Sequence, residues 1–98
     1  MFIGTCKLTF RLPGNDSLKG KRQVSRSLIM RLRNKFNVSV AEVDGVDRHQ
    51  TLVIGVSCVS NDATYATELI DALVRFVEQQ QHLEAELIEA ERDLLDGD

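Results

Sequence analysis

Five cations in one short stretch have the residue types and spacing that could bind an anion: Lys19, Lys21, Arg22, Arg26 and Arg33. Ammonium and guanidinium groups attract phosphate, and the planar guanidinium can hold two phosphate oxygens at once. At 100° per residue in a helix, all of them except Lys21 fall within about 60° of one another. Lys21 lies nearer the apolar side. The pattern predicts a nucleic-acid-binding surface that includes all five residues.

The distribution of charge along the chain favours the same hypothesis. The net charge is −3, but residues 1–41 carry nine Lys or Arg and one Asp, for +8. Residues 42–98 carry three basic and fourteen acidic residues, for −11. Such a division indicates either a face that binds a polyanion or two halves that attract each other. A solvated, charged surface without a partner is the plain alternative.

The cations require a helix to hold them, and residues 17–36 read as one. Ser17 is a good N-cap because its hydroxyl can accept from a free amide of the first turn. Helical spacing then predicts a buried stripe. Its members are Leu18, Ser25, Leu28, Ile29, Leu32 and Phe36.

Strands are predicted on both sides of this helix. Residues 1–12 alternate in polarity, which is typical of a half-buried strand with Cys6 facing the core. Residues 13–16 are turn formers. Residues 37–46 are rich in valine and predict a second strand, with a bulge near Ala41 or Glu42 to explain its broken alternation. Residues 51–60 have apolar side chains at both even and odd positions, so both faces of the strand are apolar, which is typical of a central strand.

The remaining segments determine the fold class. Asn61 and Asp62 start a second helix, and the segment from residue 82 to 98 fits either a strand or a third helix. A third helix would leave a three-stranded sheet, whereas we favour a strand. The strand completes an α+β, ferredoxin-like βαββαβ arrangement, a four-stranded antiparallel sheet with both helices on one face. We expect one domain over residues 1–98, with an acidic tail from about residue 93.

A second surface is predicted on the sheet face away from the helices. Ile3, Val53 and Val59 have the parity that places them there. Exposed apolar side chains on one face often mark a contact between proteins. The alternative function is therefore a homo-oligomeric protein–protein interaction module that uses this open face.

Four runs of residues together resemble the YlxP-like family of small bacterial proteins. They are SLK at residues 17–19, KR at 21–22, RLRNKFNVSVAEV at 31–43 and ND at 61–62. The resemblance implies a ferredoxin-like fold. Genes of this family often lie beside genes for translation initiation and ribosome maturation factors, which suggests RNA or a ribosomal particle as the partner. It implies no catalytic residue.

The residues themselves predict a binding protein rather than an enzyme. Ser25 and Ser27 have no placed His–Asp partner, and no phosphate-binding glycine loop is present. Arg11 and Gly14 invite comparison with acyl-phosphate hydrolases, but the required loop pattern is missing. We therefore expect no catalytic residue, no metal and no cofactor.

Cys6 and Cys58 read as reduced thiols, and the N-terminal residues lack a secretory pattern, so we expect a cytoplasmic protein with no membrane partner.

Overall fold

A computed structural model of the chain describes residues 1–80 and 84–97. The elements in order are β1 (Phe2–Arg11), α1 (Leu18–Lys35), β2 (Ser39–Asp44), β3 (Thr51–Ser60), α2 (Ala63–Gln79) and β4 (Glu86–Asp96). The strands form one sheet in the order β2-β3-β1-β4, and every neighbouring pair is antiparallel. The predicted α+β, ferredoxin-like βαββαβ fold is confirmed.

The core lies between the sheet and the two helices, on the face that the alternation predicted. Leu8 of β1 and Ile54 of β3 are completely buried, as is Leu32 of α1. Side chains from both helices join the same cluster, so both helices cover one face. The other face, which carries the odd-numbered residues of β1 and β3, is called the open face below.

Gly4 allows α2 to approach β1 closely. A Cβ atom at this position would lie 3.0 Å from Cys58 Sγ, 3.1 Å from an Ile70 carbon and 3.2 Å from the carbonyl oxygen of Ala66. Those are closer than ordinary van der Waals contacts, so only a residue without a side chain fits without movement. Glycine here permits the close packing of the first half of α2.

The predicted bulge in the second strand is confirmed. The register of β2 on β3 shifts between Glu42 and Asp44, which leaves Val43 as the extra residue. The methyl groups of Val43 lie over Gly55 on β3, where a Cβ would come within 2.7 Å of one of them. The bulge therefore explains why alternation fails in the sequence, because two consecutive residues oppose a single partner position.

The last segment is a strand where it is described, so the strand interpretation is correct and the third helix is not. β4 pairs with β1 along its whole length, with a register shift beside Thr9 and Phe10. The acidic tail expected from about residue 93 needs correction. Asp93 pairs with Thr5, and Asp96 pairs with Phe2, because β1 offers backbone partners as far as its first residue.

Helix α1 extends past the end of α2. Near its C-terminus, Arg31 donates to Gln80 Oε1 (3.2 Å), and the ring of Phe36 meets that of Phe76 edge-on with 5.7 Å between centroids. Phe76 lies in the last turn of α2 and Gln80 is the C-cap of that helix, and the topology makes the two helices antiparallel. Residues 18–30 therefore extend beyond α2, and no other helix of residues 1–80 and 84–97 lies beside them.

Truncation of Leu32 to alanine tests the assigned faces of α1. Leu32 is fully buried, whereas Met30 on the opposite side is 59% exposed. We expect Leu32→Ala to lower the free energy of unfolding by about 2–5 kcal/mol, because it leaves a cavity in the core. Met30→Ala is the matched control and is expected to change it by less than about 0.5 kcal/mol. Equal losses in urea denaturation would contradict the assignment.

Candidate nucleic-acid interface

The start of α1 is fixed by its cap and by the loop before it. The Ser17 hydroxyl accepts from the Gly20 amide at 3.0 Å, as predicted for an N-cap. The side-chain amide of Asn15 donates to the carbonyl oxygens of Ser17 and His49. Since His49 belongs to the β2–β3 hairpin, that hairpin is held beside the first turn of the helix. The first turn contains no acidic residue.

Four cations lie along one flank of α1 and are called the basic row: Lys19, Arg22, Arg26 and Arg33. All four are exposed. From the first to the last the row spans about 21 Å, at a rise of about 1.5 Å per residue. The ion pairs found in the described part of the chain, Lys21–Glu42 and Arg92–Asp71, include none of these four.

Arg33 shows which way the basic row faces. Its guanidinium donates to the carbonyl oxygen of Val40 at 2.9 Å, and Val40 belongs to β2, the edge strand on this side. Arg31 and Lys35 point the other way, since they contact Gln80 and the ring of Phe76 at the end of α2. The basic row therefore lies on the flank away from α2, beside the outer edge of β2.

Lys21 does not belong to this surface, which corrects its prediction as a phosphate contact. The residue is 1% exposed. Its ammonium donates to the carbonyl oxygens of Gly45 (2.6 Å), Val46 (3.3 Å) and Arg48 (2.9 Å). An ammonium has three protons, so all of its donors are used inside the hairpin and none remains for an external phosphate.

Glu42 supplies the charge that balances Lys21. Its Oε2 atom lies 2.9 Å from the ammonium nitrogen but accepts no well-directed hydrogen bond, because the ammonium protons are directed at the three carbonyls. The sequence contained a signal for the burial of Lys21. At 100° per residue, Lys21 falls within about 40° of Leu28, Leu32 and Ser25, which are the centre of the buried stripe. For the partner of Lys21, Glu42 on β2, the sequence pattern contained no comparable signal of burial.

The sheet order separates the basic row from the acidic residues of β4. The row lies beside β2, and β4 is three strands away at the other edge. At about 4.8 Å per strand, the two edges are about 14 Å apart. The screening length at physiological salt is about 8 Å, so the acidic edge weakens the field at the basic row only partly, even though the whole chain is net negative.

The open face holds the three residues predicted for an oligomer interface, but it exposes them unequally. Val59 is 65% exposed and Val53 only 7%, while Ile3 is half-buried. Val53 is flanked by Thr9 on β1 and Asp44 on β2, so it is already covered within one chain and cannot serve as a contact. Leu95, which was not predicted, is 47% exposed and pairs with Ile3.

The two thiols, Cys6 and Cys58, lie inside the core. Cys6 and Cys58 are both buried and free. Burial raises the pKa of the Cys6 thiol, although the positive charge of Arg92 acts in the opposite direction, so the reactive thiolate is disfavoured. Within residues 1–80 and 84–97, no three His, Cys, Asp or Glu residues group as metal ligands. No helix in this part is long and apolar enough to cross a membrane.

Together, the fold and the exposed helix define a small ferredoxin-like α+β domain with a basic helical surface. The chain belongs to the family described as "Protein of unknown function (DUF503)", whose model matches residues 3–92. It is similar to the Bacillus subtilis (strain 168) protein described as "Uncharacterized protein YlxP", with 29% identity over 75 residues, or 76% of this chain and 82% of the relative. The resemblance to the YlxP-like family is confirmed, and neither description names a ligand.

Replacement of Lys21 by methionine tests whether the buried ammonium is structural. Removal of one member of a buried ion pair leaves the other charge unpaired, and here three carbonyls also lose their donor. We expect Lys21→Met to lower the free energy of unfolding by about 3 kcal/mol or more. Lys19→Met, two residues away and exposed, is the matched control and should change it by less than about 0.5 kcal/mol. A Lys21 variant as stable as the control would contradict a structural role.

Proposed function

We propose that this protein is a non-catalytic binding protein that contacts structured RNA, on or near a ribosomal particle, through the basic row. The observation that carries the proposal is the exposure of all four cations on a flank of α1 that α2 does not cover. Arginine and lysine in such a position are the groups that bind nucleic-acid phosphates. A helix also keeps their spacing fixed, which suits a target of fixed shape better than a flexible strand.

The aromatic residues favour recognition of the RNA backbone over base stacking. Tyr65, which is 54% exposed, lies on α2 and not on the helix of the basic row. The four phenylalanines are buried or half-buried. Single-stranded RNA is bound largely by stacking its bases on exposed aromatic rings, whereas double-stranded RNA is bound through its shape and its phosphates. A stem or another helical region of RNA is therefore the target that these side chains fit.

The salt dependence of binding gives a quantitative expectation. If each cation of the basic row neutralises one phosphate, four counterion-release events accompany binding. With about 0.9 per contact, the coefficient for a double helix, the logarithm of the binding constant should fall against the logarithm of the salt concentration with a slope of about −3.6. Fluorescence anisotropy of a labelled RNA hairpin, titrated with protein at several salt concentrations, measures this slope.

Reversal of two cations in the middle of the row tests the site. We expect Arg22→Glu/Arg26→Glu to abolish binding to the hairpin, because two attractive contacts become repulsive. The matched control is Arg31→Glu/Lys35→Glu, which reverses two cations of the same helix, also four residues apart, on the flank towards α2. It should keep most of the affinity. Circular dichroism of both variants confirms that the fold is retained.

A further control changes charge without touching α1. Glu89→Lys/Glu91→Lys raises the net charge of β4 by four, and we expect it not to weaken binding. If binding survives reversal of Arg22 and Arg26, or if it shows no dependence on salt, the basic row is not the RNA-binding surface. If both charge-reversed variants of α1 lose binding equally, only general electrostatic attraction is involved.

A further inference from the structure

The open face carries an ordered arrangement of side chains across β1 and β4. On β1, the residues from Thr5 to Arg11 that face outward are Thr5, Lys7, Thr9 and Arg11, and each of them can donate a hydrogen bond. Their cross-strand partners on β4 are, in the same order, Asp93, Glu91, Glu89 and Glu86. A column of four donors therefore lies directly beside a column of four carboxylates, at the same levels.

One end of this face is apolar. Ile3 pairs with Val59 on one side and with Leu95 on the other, so the three side chains form a row across β3, β1 and β4. Val59 and Leu95 are 65% and 47% exposed. The terminal methyl of Met1, which is 58% exposed, lies 3.5 Å from the position of a Cβ on Gly97, beside this row.

We propose that the open face binds a second copy of this chain about a two-fold axis that runs parallel to the strands, between β1 and β4. Such a rotation keeps the level of each residue along the strands and exchanges the two columns. The donor column of one protomer then faces the carboxylate column of its partner, and the apolar end faces the same apolar end. The contact is closed and isologous, as is usual for dimers.

Charge complementarity is the reason for choosing a second copy as the occupant. Lys7 of one protomer would face Glu91 of the other, and the symmetry repeats that contact, so each interface holds two such pairs. The ion pairs in the described part of a single chain, Lys21–Glu42 and Arg92–Asp71, use none of the four carboxylates. These groups therefore keep the capacity to bind a donor from outside the chain.

The size of the face indicates a weak dimer. With the axis between β1 and β4, two strands of each copy overlap. At about 4.8 Å per strand and about 3.3 Å per residue, the overlap is about 10 Å by 33 Å, or roughly 300 Å² per copy. The total of roughly 600 Å² is below the value of about 1,200 Å² at which stable specific interfaces begin, so the expected dimer is weak and forms only at high protein concentration. The dimer does not depend on RNA binding, because the basic row lies on the helical side of the sheet and remains free in both protomers.

A pair of complementary charge reversals tests the axis. Analytical ultracentrifugation without RNA should show a concentration-dependent dimer of the wild-type chain. Lys7→Glu alone and Glu91→Lys alone should each weaken the dimer at least about tenfold, because like charges then face each other across the interface. An equimolar mixture of the two variants should form a heterodimer about as strong as the wild-type dimer, since both of its inter-protomer pairs are again opposite in charge.

Two further variants separate this arrangement from others. Leu95→Asp alters an exposed residue of β4 at the apolar end, inside the overlap of the two copies, and should also weaken the dimer, with unchanged thermal stability. Arg75→Glu reverses an exposed cation on α2 and should leave the dimer unchanged.

Each negative outcome overturns the proposal in a defined way. A wild-type chain that stays monomeric up to about 1 mM, the weak end of specific affinities, shows that the face does not bind a second copy. A dimer whose two variants fail to recover association when mixed shows that β1 does not face β4 of the partner. A dimer that is insensitive to Leu95→Asp but weakened by Arg75→Glu shows that another surface is used.

Discussion

The contact of the Lys21 ammonium with the β2–β3 hairpin is the interaction on which the exposed part of α1 depends. The first thirteen residues of this helix extend beyond α2, so they lack the neighbour that the rest of the helix has. Lys21 replaces that neighbour with three carbonyl oxygens of the hairpin and the carboxylate of Glu42. The burial of one cation therefore holds the helix, the hairpin and the edge strand together. The neighbouring cations are left to face solvent.

Much of the fold could be predicted because its local patterns agree with its tertiary structure. The alternation of β1 places Cys6, Leu8 and Phe10 in the core, and the turn residues and Ser17 mark where the helix begins. These signals need only near neighbours in the chain. The bulge of β2 was also predictable, since an extra residue breaks the two-residue period of a strand at the place where it occurs.

The parts that escaped prediction depend on residues far apart in the chain. Lys21 has the residue type of a surface cation, and only the hairpin, more than twenty positions later, supplies the acceptors that bury it. The alternation of β3 places Val53 on the open face, but residues of the two neighbouring strands cover its side chain. The final strand of the chain extends through residues 93–96 because β1, at the other end of the sequence, offers unpaired backbone there. Periodicity assigns a residue to a face but does not say which neighbours flank it.

The hydrogen bond from Arg33 to Val40 has a consequence for the entropy of binding. A free arginine loses side-chain freedom when it is fixed on a ligand, which opposes association. Arg33 has already lost part of that freedom through its contact with the edge of β2. Its guanidinium has five N–H donors, and the Val40 carbonyl oxygen accepts from only one of its nitrogens. This contact also restricts the orientation of its other donors. In the proposed RNA complex, Arg33 is for this reason the cation whose fixation should cost the least entropy.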